Sequence, residues 1–169
     1  MPEAEFWIDR LALQRHPEGG WYRETYRSDA SYDFRESDPF GSPRAYATSI
    51  HYLLEQGDRS RLHRILSDEL WYFHAGDPLQ VYLFPETGEP SSFTLGANPD
   101  KGELLHAWVP AGTWFGARLK ESVVNKEGAY ALVSCVVAPG FDFQDFSFAD
   151  KADLMEKFPD HARIIESLV

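Results

Sequence analysis

Gly57-Asp-Arg-Ser-Arg-Leu-His63-Arg-Ile65-Leu-Ser-Asp-Glu69-Leu-Trp71-Tyr-Phe73-His-Ala-Gly76 is the stretch that decides how this chain folds. Two glycines bracket it. Between them lie two β-type runs, Arg61 to Leu66 and Glu69 to His74, joined at the polar pair Ser67-Asp68. Side chains two apart along a strand point to the same face. His63 and Ile65 therefore share a face, and a short turn brings Glu69 to the same wall of a barrel. Trp71 and Phe73 have the parity of Glu69, whereas His74 has the opposite parity and should leave that wall.

Working outward, the region Ala45 to Val137 alternates short β runs with turn signals. The runs are Tyr46 to Leu54, the two already named, Leu79 to Phe84, Ser91 to Leu95, Leu104 to Val109, Trp114 to Leu119 and Tyr130 to Val137. Turns fall at Glu55-Gln-Gly-Asp58, Ala75-Gly-Asp-Pro78, Glu86-Thr-Gly-Glu-Pro90, Asn98-Pro-Asp-Lys-Gly102 and Pro110-Ala-Gly112. Many short strands about ten residues apart with no helix between them indicate an antiparallel sandwich or barrel. Upstream, Trp7, Ile8 and Leu11 predict a short amphipathic helix over 5–14, stopped by His16-Pro-Glu-Gly-Gly20. A strand over Trp21 to Arg27 and a polar surface loop over Ser28 to Pro43 follow. Downstream, Ala149 to Lys157 is helical in character, and Pro159 suits the first turn of a second helix ending near Leu168. The 169 residues suit one domain, 1–169, and contain no repeat or low-complexity segment.

Composition removes several classes of function. Hydrophobic residues make up 43% and aromatic residues 15%, which is enough for a packed core. A net charge of −11 opposes non-specific binding to nucleic acid or an anionic membrane, since both need a basic face. No apolar run approaches membrane-spanning length, and the start lacks a basic-then-apolar order, so neither a spanning helix nor a signal peptide is expected. Cys135, the one cysteine, sits in the apolar run Ala131 to Val137 and reads as a buried small residue. A cytoplasmic location is the natural expectation. No phosphate loop, dinucleotide fingerprint, zinc-type cysteine pair or nucleophile elbow is present, which argues against nucleotide hydrolysis and serine-hydrolase chemistry.

The opening stretch resembles the first signature motif of the cupins, G-x5-H-x-H-x3-E-x6-G, with Ile65 in place of the second His. More narrowly, the chain resembles the cupin type 5 family, DUF985. The residues that carry this run from His16-Pro-Glu-Gly-Gly-Trp-Tyr-Arg-Glu-Thr-Tyr-Arg-Ser28 through Ser49-Ile-His-Tyr-Leu-Leu54 and the signature itself. They continue in Val109-Pro-Ala-Gly-Thr-Trp-Phe115 and Val137-Ala-Pro-Gly-Phe-Asp-Phe-Gln-Asp-Phe146. The resemblance implies a mainly β fold, the cupin double-stranded β-helix or jelly-roll barrel, with short N- and C-terminal helices, and a homodimer. It brings no established reaction.

The second cupin motif, P-x-G-x2-H, normally supplies a further metal ligand, and Phe115 stands at that His position. Of the four usual ligand positions only His63 and Glu69 keep ligand chemistry, and a catalytic first-row metal normally needs three protein ligands. A divalent metal, if bound, falls to His63 and Glu69 with a third ligand converging from Gln80, His51 or His106. Otherwise His63 is read as a general base and Glu69 as its orienter or as an acid whose pKa is raised by surrounding rings. Trp71, Phe73 and Phe115 are read as walls of a small-molecule pocket. Arg61, on the strand of His63 as in cupin sugar-nucleotide epimerases, joins the candidate ligand-binding set. Arg23 is read with Arg27 either as a cationic rim or as part of a solvated face paired with Glu24 or Glu18. His16 and His161 read as surface residues, and Asp142 and Asp145 as fixing a loop through hydrogen bonds. The aromatic run Phe141 to Phe148 shields the sheet or packs on a partner subunit. Three functions stay open: an isomerase or epimerase, a ligand-binding module without turnover, and a metal-dependent, dioxygenase-like cupin.

Overall fold

Turn residues at short intervals force the chain into brief antiparallel strands, and these close into two facing sheets. The computed structural model describes residues 3–169. Its strands are β1 Gln14–Arg15, β2 Trp21–Arg27, β3 Ser31–Tyr32, β4 Arg44–Ala45, β5 Thr48–Glu55, β6 Arg59–Arg64, β7 Asp68–Gly76, β8 Leu79–Phe84, β9 Ser91–Leu95, β10 His106–Val109, β11 Trp114–Leu119, β12 Tyr130–Ala138 and β13 Ser147–Phe148. One sheet runs β1-β2-β5-β12-β7-β10 and the other β13-β6-β11-β8-β9, with β3 and β4 forming a separate ribbon. The fold is a mainly β jelly roll, as the resemblance implied.

Three apolar clusters hold it. The largest lies between the sheets and includes Tyr52, Leu54, Trp71, Leu79, Val81, Phe115, Ala117 and Val133. Helix α1 (Ala4–Arg10) covers the outer face of the first sheet, where Leu53, Tyr130 and Leu132 meet Trp7, Ile8 and Leu11. Helices α2 (Lys151–Lys157) and α3 (Ala162–Leu168) cover the second sheet, packing Leu154, Phe158, Ile165 and Leu168 on Leu62 and Phe84. The helices explain why β5 and β12 read as unbroken apolar runs: Leu53 and Leu54, like Leu132 and Val133, are buried on opposite faces.

Element boundaries shift by one or two residues at most strands, β13 lies in a run not read as a strand, and three further differences bear on the packing. The first helix ends at Arg10, not Gln14, because Gln14 and Arg15 pair with Tyr22 and Trp21 as an edge strand. The loop Ser28 to Pro43 contains a strand, since Ser31 and Tyr32 pair with Ala45 and Arg44. The last helix begins at Ala162 after a 3₁₀ turn over Pro159–His161, and His161 packs half-buried, edge-on to Phe84, instead of lying at the surface.

Candidate functional site

A β-bulge sets up the site. On β6, Arg61 and Leu62 together stand opposite Gly116 of β11, so the register shifts between the pairs Phe115–His63 and Ala117–Ser60. The extra residue turns both Ser60 and His63 inward although they are three apart. Gly116 permits the close approach, since a Cβ there would lie 2.9 Å from the Ser60 carbonyl oxygen. The bulge also corrects the expectation for Arg61. Its side chain is exposed, with the guanidinium 4.4 Å over the Phe148 ring, and only its backbone serves the site.

The segment His16 to Gly20 brings a residue that strand patterning does not reveal. Gly19 and Gly20 take positive φ values, and a Cβ on Gly19 would fall 2.1 Å from the Arg59 carbonyl oxygen. The Tyr52 hydroxyl donates to the Gly19 carbonyl at 2.7 Å, and the Arg61 N–H donates to the Glu18 carbonyl at 2.9 Å. So pinned, Glu18 points its carboxyl into the barrel. Its Oε1 accepts from Ser60 Oγ at 2.9 Å, and its Oε2 lies 3.2 Å from His63 Nε2. The signal available in the sequence was the Gly-Gly pair following a Glu.

The protonation of His63 follows from its partners. Its Nδ1 is 2.6 Å from the Arg61 carbonyl oxygen, which can only accept, so Nδ1 carries a hydrogen and Nε2 is the nitrogen turned to Glu18. Nε2 lies 3.2 Å from Glu18 Oε2, at ion-pair distance, so Glu18 faces any imidazolium formed on His63. The His63 ring packs 4.2 Å from Phe115 and stacks 5.1 Å from Phe146. His16, expected at the surface, has its side chain almost wholly buried and lines the same cavity, its ring T-shaped to Tyr22 with centroids 4.4 Å apart. Its Nδ1 accepts the Glu18 N–H at 3.1 Å, and burial lowers its pKa, against the opposing charge of Glu18.

Glu69, on β7, is 8% exposed and pairs across β12 with Val137. Burial pushes its pKa up to about 8 and the charge of Glu18 adds to this, while a hydrogen bond from the Cys135 thiol works the other way. At neutral pH Glu69 is mostly a carboxylic acid. Burial also raises the pKa of Cys135, with the charge of Glu69 as the next cause.

These groups open onto one cavity of about 330 Å³ lined by His16, Glu18, His63, Ile65, Glu69 and Cys135. Tyr22, Glu24, Arg27, Phe141, Asp142 and Phe143 also border it. Arg27 donates to both carboxylate oxygens of Glu24, at 3.0 and 2.7 Å, and to the Phe141 carbonyl at 3.2 Å. Asp142 accepts the Gln144 N–H, and Asp145 holds Arg44 through two bonds of 2.7 and 2.6 Å, which fix the loop above the site.

The remaining candidates lie elsewhere. Trp71 is 1% exposed in the inter-sheet core and does not border the cavity. Its parity was read correctly, but the barrel at that depth is filled with side chains, Tyr52 and Phe115 among them. Phe73 borders a different hollow with Glu103 and Lys120. Phe115 is fully buried behind His63 and supports it without reaching the cavity. Arg23 is exposed outside the cavity and bonds to the Leu11 carbonyl. His51 and His74 share Ser134 Oγ at 3.1 and 2.6 Å, and His106 stacks on Tyr72, all away from the cavity. Gln80 is engaged with Thr94 and the Phe93 carbonyl.

The chain is a jelly roll in which a His and two carboxyls converge on one cavity. The chain matches the family model of the Cupin superfamily (DUF985) over residues 5–149 and belongs to that family. It is 39% identical to a hypothetical protein from Leishmania major, with a TM-score of 0.89 and 99% of each chain covered. It is 36% identical to protein SO0799 from Shewanella oneidensis, with a TM-score of 0.84, covering 99% of this chain and 98% of that one. Among curated proteins it is 29% identical to the uncharacterised protein YML079W of Saccharomyces cerevisiae, over 90% of this chain and 80% of that protein. Oxalate decarboxylase from Bacillus subtilis shares the fold, with a TM-score of 0.54 at 19% identity.

The metal that cupins commonly hold does not fit these residues. Ile65 and Phe115 fill two of the four ligand positions with buried hydrocarbon. Among the described residues, no three His, Cys, Asp or Glu side chains are grouped so that they could hold a metal ion.

Proposed function

We propose that the cavity binds a small carbonyl compound and catalyses proton transfer at the carbon beside the carbonyl, an isomerisation or epimerisation with His63 as general base. The observation that supports this is the convergence on one cavity of His63, with Glu18 at ion-pair distance from its Nε2, and a separate neutral acid, Glu69. His63 takes the proton from the substrate carbon onto Nε2, and Glu18 faces the imidazolium so formed. The C–H electrons become the new C=C bond, the carbonyl π electrons move to oxygen, and that oxygen takes the Glu69 proton. Return of a proton to the opposite face of the carbon, or to its neighbour, gives the isomer and restores both groups. A general base and acid so placed each contribute about 10²–10⁴-fold.

Candidate hydroxy ketones and any co-purified compound, incubated in D₂O and followed by NMR, test the reading. Deuterium should enter next to the carbonyl, at least a hundredfold more slowly with His63→Ala or Glu69→Gln. Binding without deuterium entry would make the protein a ligand-binding module instead.

The same proposal includes a homodimer. Exposed Leu104, Leu105 and Trp108 beside the edge strand β10 form an apolar face that a second copy would cover. A monomer in sedimentation equilibrium at tens of micromolar would overturn it.

A further inference from the structure

The charges around the cavity restrict what can enter it. Glu18, Glu24, Glu69 and Asp142 bring four carboxyl groups to the lining, and Arg27 is the one Lys or Arg there among the described residues. That guanidinium is already engaged, donating to both oxygens of Glu24 and to the Phe141 carbonyl. An arriving phosphate or carboxylate would have to displace Glu24 and would meet no other Lys or Arg among the described residues of the lining. Losing hydration without a free counter-charge is strongly unfavourable for an anion.

The lining is also rich in acceptors. Besides the carboxyl groups it presents Gln14 and Thr48, while Tyr22, Phe141 and Phe143 offer ring surface. Acceptors of this kind are satisfied by hydroxyl donors, and ring faces by the C–H face of a compact molecule. Inside, the Glu18 carboxyl is already matched by His63 and Ser60, and at the mouth the Glu24 carboxylate is matched by Arg27. A ligand cation would therefore compete with existing partners at both places. A volume of about 330 Å³ suits a molecule of monosaccharide size.

We infer that the ligand is an uncharged polyhydroxy carbonyl compound, such as a free aldose or ketose, and that its phosphorylated and carboxylate forms are excluded. This rests on the proton-transfer reading only for the carbonyl group; the charge selection stands on the lining alone.

The test uses the full chain in thermal-shift and calorimetric titrations at neutral pH. The probes are free hexoses and 6-deoxyhexoses, the matching hexose 6-phosphates and uronic acids, and hexosamines. At least one free sugar should bind saturably, and its 6-phosphate and uronic acid at least tenfold more weakly. Glu24→Gln should release Arg27 and raise affinity for the 6-phosphate at least tenfold relative to that for the free sugar measured on the same variant. Equal or tighter binding of the phosphate, preference for the hexosamine, no binding of any free sugar, or no recovery in Glu24→Gln would each overturn the inference. A free sugar that binds without deuterium exchange removes the proton-transfer reading and leaves this one standing. Exchange on a phosphorylated compound does the reverse.

Discussion

His63 and Glu18 are each nearly inaccessible, so either one left alone would be a buried group without its partner. His63→Ala should therefore cost about 3 kcal/mol in urea denaturation at neutral pH, and roughly half of that when Glu18→Gln is already present. Equal costs in both backgrounds would show that the two do not interact. Glu69 makes a prediction of the opposite kind. Its folded pKa is raised, so between pH 4.5 and 8 the folded state keeps a proton that the unfolded chain releases, and stability falls as pH rises. Relative to Glu69→Gln, the wild type should lose on the order of 5 kcal/mol across that window and show a constant difference above it. The comparison with the variant removes the contribution of His16, His51 and His74, whose lowered pKa values reduce stability on acidification. At this scale strand parity foretold that Glu69 and Trp71 share a face. It could not tell a residue bordering the cavity from one packed below it, because parity carries no information about depth.

Local backbone geometry accounts for what strand patterning missed. Alternation would place Arg61 with His63, and the bulge opposite Gly116 breaks that alternation by inserting one residue. The Gly19–Gly20 turn is as decisive for Glu18. Gly19→Ala, at φ +111° with a backbone oxygen in the way, should cost about 2 kcal/mol or more by chemical denaturation. It should also withdraw Glu18 from His63, visible as a changed His63 ring resonance in NMR. An unchanged stability and resonance would mean that the turn does not position Glu18. Strands bounded by clear turn signals, such as Leu79 to Phe84 and Trp114 to Leu119, were legible to the residue. The end of α1 and the strand at Ser31 were not, because Gln14–Arg15 and Ser31–Tyr32 are two-residue strands, too short to show an alternation.

Across the whole molecule, two sheets and three helices divide the burial among three clusters, and the C-terminal helices seal the second sheet. Leu168→Ala, at a fully buried position, should cost about 3 kcal/mol by urea denaturation, and a cost below about 1 kcal/mol would show that this seal is dispensable. The sequence alone determined the jelly roll and the cupin resemblance, and it singled out His63 and Glu69. Turn residues and two-residue periodicity act locally, and the motif carries those two positions. Only the tertiary structure decided that Glu18 and His16 join them, that Trp71, Phe73, Phe115, Arg23 and Arg61 stay out of the cavity, and that Ile65 borders it while Phe115 backs His63. The physical reason is that the site forms from segments some fifty residues apart. Their approach is set by a bulge, a glycine turn and the packing of two sheets, which no single stretch of the chain encodes.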